Sequence, residues 1–343
     1  MTFRWYGPKD PVTIDKIGQI PVIDSIVSAV YDVPVGEVWS NESIETLKTA
    51  AAGAGLTFEV VESVPVHEDI KMGKPNRDRL LDNYRENIFR LGKAGVKCIC
   101  YNFMPVFDWL RSELKSPQKD GSNALAYDEE TVLKMNPLES ELSLPGWDES
   151  YTHDQLVGLL KSYENIGEKE LLDNLRYFLE AVIPAAEEAG VMMAIHPDDP
   201  PWGIFGLPRI ITDMDHMKKF LSLYPSVNNG LTFCTGSFGA SRANDLTEMI
   251  RAAEGRIHFA HLRNIQYDGY RAFHETAHPT RCGSLDMYKI AKTLLECGFD
   301  GYVRPDHGRM IWGETGRGGY GLYDRALGAM YLYGLFEGIK KGL

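Results

Sequence analysis

Eight short β-prone runs in series, each followed by a helical stretch, constrain this chain more than any other feature. The runs fall at 3–5, 25–30, 57–61, 96–101, 191–195, 230–233, 257–260 and 301–303. Helical stretches lie between them at 13–19, 43–54, 77–94, 171–189, 213–224, 244–253 and 285–297, with a closing one at 323–338. In 77–94, for example, Leu80, Leu81, Tyr84, Ile88 and Leu91 recur at helical spacing and Gly95 stops the run. Pro184 inside 171–189 must kink that helix or start a new segment. Eight strand–helix pairs joined by right-handed crossovers predict an α/β chain folded as a (β/α)8 TIM barrel, one domain spanning residues 1–343. An open doubly wound sheet is the alternative. It needs fewer strands, and Gly7-Pro8-Lys9-Asp10 is not the glycine-rich phosphate loop such sheets carry after their first strand.

The alternation breaks once, after the fourth strand. Residues from about 105 to 150 form a long polar insertion punctuated by Pro117, Gly121, Pro137, Pro145 and Gly146. An insertion of that length is functional or mobile, a lid or a subunit contact, and the sequence does not choose.

Charge and cysteine usage narrow the function classes. A formal net charge of -12 with no Lys/Arg-rich block argues against nucleic acid, so an anionic substrate would be held by local arginines. The first residues lack the basic and apolar regions of a signal peptide, and no apolar run approaches a membrane span. Five cysteines, odd in number and without paired spacing, fit a reducing cytoplasm better than a disulfide framework. Cys98 and Cys100 alternate in a β-prone run and are expected to be buried apolar residues.

Four of the eight runs end in chemistry. The segment 301–309 passes from Tyr302 and Val303 through Pro305 to Asp306 and His307, and three earlier runs end at His196, Cys234 and His261. Taken singly, each has a bland reading: a solvated imidazole, a buried inert thiol, a capping aspartate. Together, two imidazoles, a thiolate and a carboxylate at the C-terminal ends of four consecutive barrel strands make a first-row metal set, on the rim where such barrels do chemistry. His258 and His261 lie three apart, so a regular strand cannot aim both into one site, and His261 is taken because it ends its run. Asp198 and Asp199 lie close enough to His196 to orient it. His307, beside Asp306, suits an acid–base role better than a fifth ligand. The glycine-rich segment 313–321 lacks the context of a nucleotide loop and suits an active-site loop carrying Tyr320. Arg263 and Arg309, each just beyond a ligand, could grip a carboxylate or form structural ion pairs.

Five motifs carry a resemblance to a known family: Thr2-Phe3-Arg4-Trp5-Tyr6-Gly7, Ile195-His196-Pro197-Asp198-Asp199, Thr232-Phe233-Cys234-Thr235-Gly236-Ser237, Phe259-Ala260-His261-Leu262-Arg263-Asn264 and Val303-Arg304-Pro305-Asp306-His307-Gly308-Arg309. In combination the chain resembles the D-mannonate dehydratases of hexuronate (glucuronate) catabolism, nearly end to end. The resemblance implies a xylose-isomerase-like barrel, Mn2+ or Fe2+ as cofactor, and dehydration of D-mannonate to 2-dehydro-3-deoxy-D-gluconate. By motif, His196, Cys234, His261 and Asp306 match the metal ligands, and His307 and Tyr320 the catalytic pair, with Tyr323 the competitor for the second place. The middle of the chain is more compact than in longer members. The expected partners are a sugar-acid substrate and a second copy of the chain in a dimer, with no nucleic acid and no membrane. A metal-dependent sugar isomerase on the same barrel, and a non-catalytic sugar-acid binder, are the rival readings.

Overall fold

A computed structural model describes residues 1–138 and 152–342. Eight parallel strands form a nearly closed barrel in the order β1 (Thr2–Arg4), β2 (Ser25–Ser28), β3 (Thr57–Glu62), β4 (Cys98–Tyr101), β7 (Met192–Ile195), β8 (Asn229–Cys234), β9 (Ile257–Leu262) and β12 (Tyr302–Pro305). Each lies in one of the runs predicted as strands, give or take a residue or two at the ends. The two end strands meet where Thr2 Oγ1 donates to the Val303 carbonyl at 3.0 Å. Helices clothe the outside. The helix Arg77–Ala94 keeps its predicted bounds, and Gly95 ends it at φ 97, a left-handed conformation that costs glycine nothing. It lies beside the helix Glu168–Ala189, where the Tyr84 and Phe178 rings meet edge to face at 5.0 Å.

Pro184 neither breaks nor restarts that second helix, which runs unbroken through it. Proline removes a single backbone bond, while Leu171, Leu175, Phe178, Leu179, Val182, Ile183 and Ala186 bury one continuous face on either side of it.

Inside the barrel, Val27, Val60, Cys98, Cys100, Ala194 and Phe259 form a small apolar plug, with Tyr302 packed against it, and both cysteines are buried as expected. Two residues further along three of these strands, on the same faces, stand Glu62, His261 and Arg304. The plug thus carries a charged layer, and the site is built on that layer.

A second sheet was not foreseen. Strands β5 (Glu113–Pro117) and β6 (Asn123–Asp128), from the insertion, join β10 (Asn264–Gly269) and β11 (Ala272–Thr276) in the order β10-β11-β6-β5. The β10–β11, β11–β6 and β6–β5 pairs are all antiparallel. The helix Glu129–Leu133 follows β6, and residues 139–150 of the expected insertion lie outside the described residues. No helix among the described residues is long and apolar enough to cross a membrane.

Candidate active site

His196 follows β7, Cys234 ends β8, His261 lies in β9 and Asp306 follows β12. Cys234 and His261 are register partners across β8 and β9, and His261 pairs with Arg304 across β9 and β12. Four consecutive strand ends therefore bring His196 and Asp306, more than 100 positions apart in sequence, to one rim. Donor atoms of His196, Cys234 and His261 all lie within 4.8 Å of one another. Asp306 stands beside them, its Oδ2 3.5 Å from Cys234 Sγ and its Oδ1 3.8 Å from His261 Nδ1.

The chemistry of this set suits a divalent cation. Burial alone would raise the Cys234 thiol, but chiefly the Arg263 guanidinium brings it down to about 5, so it is a thiolate at neutral pH. Ser237 Oγ donates to the same sulfur at 3.1 Å. His196 Nδ1 lies 2.7 Å from the Pro197 carbonyl; donating there leaves Nε2 with its lone pair, as a metal-binding imidazole needs. Asp306 is buried, yet His307, Arg304, Arg263 and His261 hold it well below the usual carboxylate range. A second grouping, Glu62, Cys100 and His261, shares one histidine with the first. It is the poorer candidate, because burial and then Glu62 push the Cys100 thiol well up.

The aspartates do not orient His196 as expected. Asp198 accepts the backbone N–H groups of Ile210 and Ile211, both at 2.7 Å. Asp199 accepts two parallel bonds from Arg111 at 2.8 and 2.9 Å, and one from Arg263 at 2.6 Å. The remaining sequence-named groups sort clearly. His258 Nε2 lies 2.7 Å from the Val227 carbonyl, away from the metal group. His307 Nε2 lies 2.9 Å from the Tyr320 hydroxyl, whereas Tyr323 is 42% exposed and packs on Trp312. Burial, with Asp306 adding and Arg304 opposing, raises the Tyr320 hydroxyl and keeps it protonated.

Both arginines named from sequence are already occupied. Arg263 pairs with Asp199, Glu275 and Asp306. Arg309 spends its donors on Asp324 and Asp120, so it clips the β5–β6 turn to the segment after β12 instead of facing the site.

Sequence reasoning missed Glu275, Arg111, Glu62, Arg4 and Arg304, and gave Asp199 a different partner. Glu275, on β11, places Oε1 2.8 Å and Oε2 3.0 Å from His307 Nδ1. His307, Arg263 and Arg111 outweigh burial and bring this carboxylate down to about 2. His307 Nδ1 also lies 2.6 Å from Arg263 Nη1, and the tautomer with its proton on Nδ1 toward Glu275 is the one that leaves Nε2 to accept from Tyr320. Arg4, Glu62 and Arg304 were legible in principle, as charges inside apolar strand runs. Glu275 and Arg111 reach the site through pairings that no local window contains.

The whole chain, residues 1–343, matches the family model described as D-mannonate dehydratase (UxuA). A mannonate dehydratase of Streptococcus agalactiae serotype III (strain NEM316) is 55% identical over 344 residues, covering 100% of this chain and 99% of that protein. The crystal structure of mannonate dehydratase from Streptococcus suis serotype 2 superposes with a TM-score of 0.93 at 48% identity, covering 100% of this chain and 95% of that one. A xylose isomerase domain protein from Planctomyces limnophilus, 12% identical, has a TM-score of 0.56 over 99% of this chain and 98% of its own, a likeness of fold.

Proposed function

The chain belongs to the D-mannonate dehydratase family, and from that premise we propose that it converts D-mannonate to 2-dehydro-3-deoxy-D-gluconate and water in hexuronate catabolism. The observation that carries the residue roles is the hydrogen-bonded His307–Tyr320 pair, 2.9 Å apart, beside the His196, Cys234, His261 group. In this reading His196, Cys234, His261 and Asp306 hold Mn2+ or Fe2+. When bound, the ion would supply a Lewis acid to the reaction.

Tyr320 takes the C2 proton. Its own hydroxyl is held protonated, so a free phenolate is unfavourable, but the bond to His307 removes the need for one. As the tyrosine oxygen accepts the C2 proton, its original proton passes to His307 Nε2, which hands it to the departing C3 hydroxyl. The electron pair left at C2 spreads into the C1 carboxylate and returns to form the C2–C3 double bond as water leaves. The resulting enol tautomerises to the 2-keto product. Glu275 faces the imidazolium that forms and stabilises it.

All five cysteines are free, which supports a cytoplasmic location. Tyr323, Leu327, Met330 and Tyr333 expose an apolar strip along the last helix, Tyr323–Lys340, which supports a dimer. We take residues 1–343 as one barrel domain with an insertion at about 105–150.

The test is turnover of a panel of hexonic acids by metal-reconstituted protein, with C2-deuterated mannonate followed in parallel. His307→Asn should keep metal and substrate and lose turnover by a factor on the order of 10²–10⁴. Tyr320→Phe should lose both C2 exchange and product. Interconversion of an aldose and a ketose without loss of water would replace the dehydratase reading with an isomerase.

A further inference from the structure

Arg4 and Arg304 face each other across Glu62 in the charged layer above the apolar plug. Arg4 Nη1 lies 3.3 Å from Glu62 Oε2, and Arg304 Nη2 lies 3.0 Å from Glu62 Oε1 and 2.7 Å from Asp306 Oδ1. Both side chains are more than nine-tenths buried. Yet Nε of both and Nη1 of Arg304 have no hydrogen-bond partner among the described protein atoms, and Arg4 Nη1 has only its ion pair with Glu62. Three buried charged donors left unsatisfied are costly, and a pair of guanidinium forks presents the geometry that a carboxylate accepts.

The local charge balance points the same way. Arg4, Arg111, Arg263 and Arg304 are matched by Glu62, Asp199, Glu275 and Asp306. Arg325 adds to the positive side: it donates to the carbonyls of Gly321, Arg4 and Tyr320 and has no carboxylate partner among those bonds. The position also suits the reaction. Tyr6 packs edge to face on Tyr320 at 5.0 Å and carries Arg4 over its ring at 4.8 Å, so Arg4 and the Tyr320–His307 pair flank one aromatic wall. Tyr31, 47% exposed, continues that wall outward at 5.8 Å from Tyr6.

We infer that Arg4 and Arg304 form the subsite for the C1 carboxylate of the substrate, the role that Arg263 and Arg309 cannot take because their donors are occupied. The inference rests on the dehydratase reading above. Two guanidiniums on the carboxylate stabilise the charge that gathers there when the C2 proton leaves, and the neighbouring C2 and C3 are directed toward Tyr320 and His307.

The subsite is tested by calorimetry on the metal-loaded protein in a His307→Asn background, which stops turnover, with D-mannonate and the uncharged D-mannonamide as ligands. Adding Arg4→Met should weaken mannonate about 10–100-fold and the amide less than about threefold, with metal content by elemental analysis unchanged. Arg4→Lys keeps the charge and loses the fork, so it should weaken mannonate alone by about 3–10-fold; it carries the comparison should Arg4→Met not fold. Equal losses for both ligands, no loss for mannonate, or loss of metal would overturn the subsite. The dehydratase reading is judged separately, on turnover by the parent. A parent that dehydrates mannonate while Arg4→Met shows no charge-specific loss removes the subsite alone. A parent that binds mannonate through Arg4 without dehydrating it removes the reading and leaves the subsite.

Discussion

Cys234 and Glu275 do opposite kinds of work on the same rim. A thiolate held at about 5 needs no proton removed before it binds a cation at neutral pH. Cys234→Ser keeps the shape but loses the ionised donor, so metal retained after dialysis, counted by elemental analysis, should fall on the order of tenfold or more while circular dichroism stays unchanged. Undiminished metal in that variant would make Cys234 a structural thiol. Glu275 is an acid-stability element. Its carboxyl is lowered from 4.5 to about 2 in the folded protein, so its stabilisation is present above about pH 4.5 and is lost as pH falls toward 2. The stability gap between parent and Glu275→Gln, read by urea unfolding, should be on the order of a few kcal/mol near neutrality and shrink across that interval. At this scale the proposed ligands were legible because each ends a β-prone run. Glu275 was not, since it sits in a strand that pairs with β6, nearly 150 residues away.

The second sheet shows why some elements escape a reading of local pattern. Glu113–Pro117 alternates charged and apolar residues, ends in proline and is largely exposed, so neither burial nor run length marks it as a strand. It exists because β6 pairs with β5 on one side and β11 on the other, and the barrel strands were easier to read because burial on both faces makes them near-continuous apolar runs. The sheet also fixes the loop that carries Tyr320. Gly319 has φ +81, and a Cβ there would lie 2.6 Å from Leu125 Cδ1 of β6 and 3.4 Å from His307 Cγ. Gly319→Ala should therefore cost about 2–4 kcal/mol of stability and lower kcat, and Leu125→Ala in the same chain should return part of the kcat but not the backbone strain. Unchanged kcat in Gly319→Ala would mean that the loop position does not set the His307–Tyr320 distance.

Across the whole molecule, four strand ends supply the proposed metal ligands and two sheets supply charges around them. Chelation should abolish turnover and Mn2+ or Fe2+ restore it, with the far-ultraviolet dichroism of the stripped protein unchanged because the barrel core does not include the ion. Full rate in protein shown by elemental analysis to be metal-free would remove the proposed mechanism. The barrel's seam has a further consequence, in time instead of space. Thr2 and Val303 meet across 301 positions of sequence, and that junction also sets Arg4 opposite Glu62 and Arg304. Contacts of such separation form late, after the local strand–helix units have collapsed. A refolding chain should therefore recover its helical signal first and its ability to bind a sugar acid last, with Thr2→Val lengthening the interval between the two.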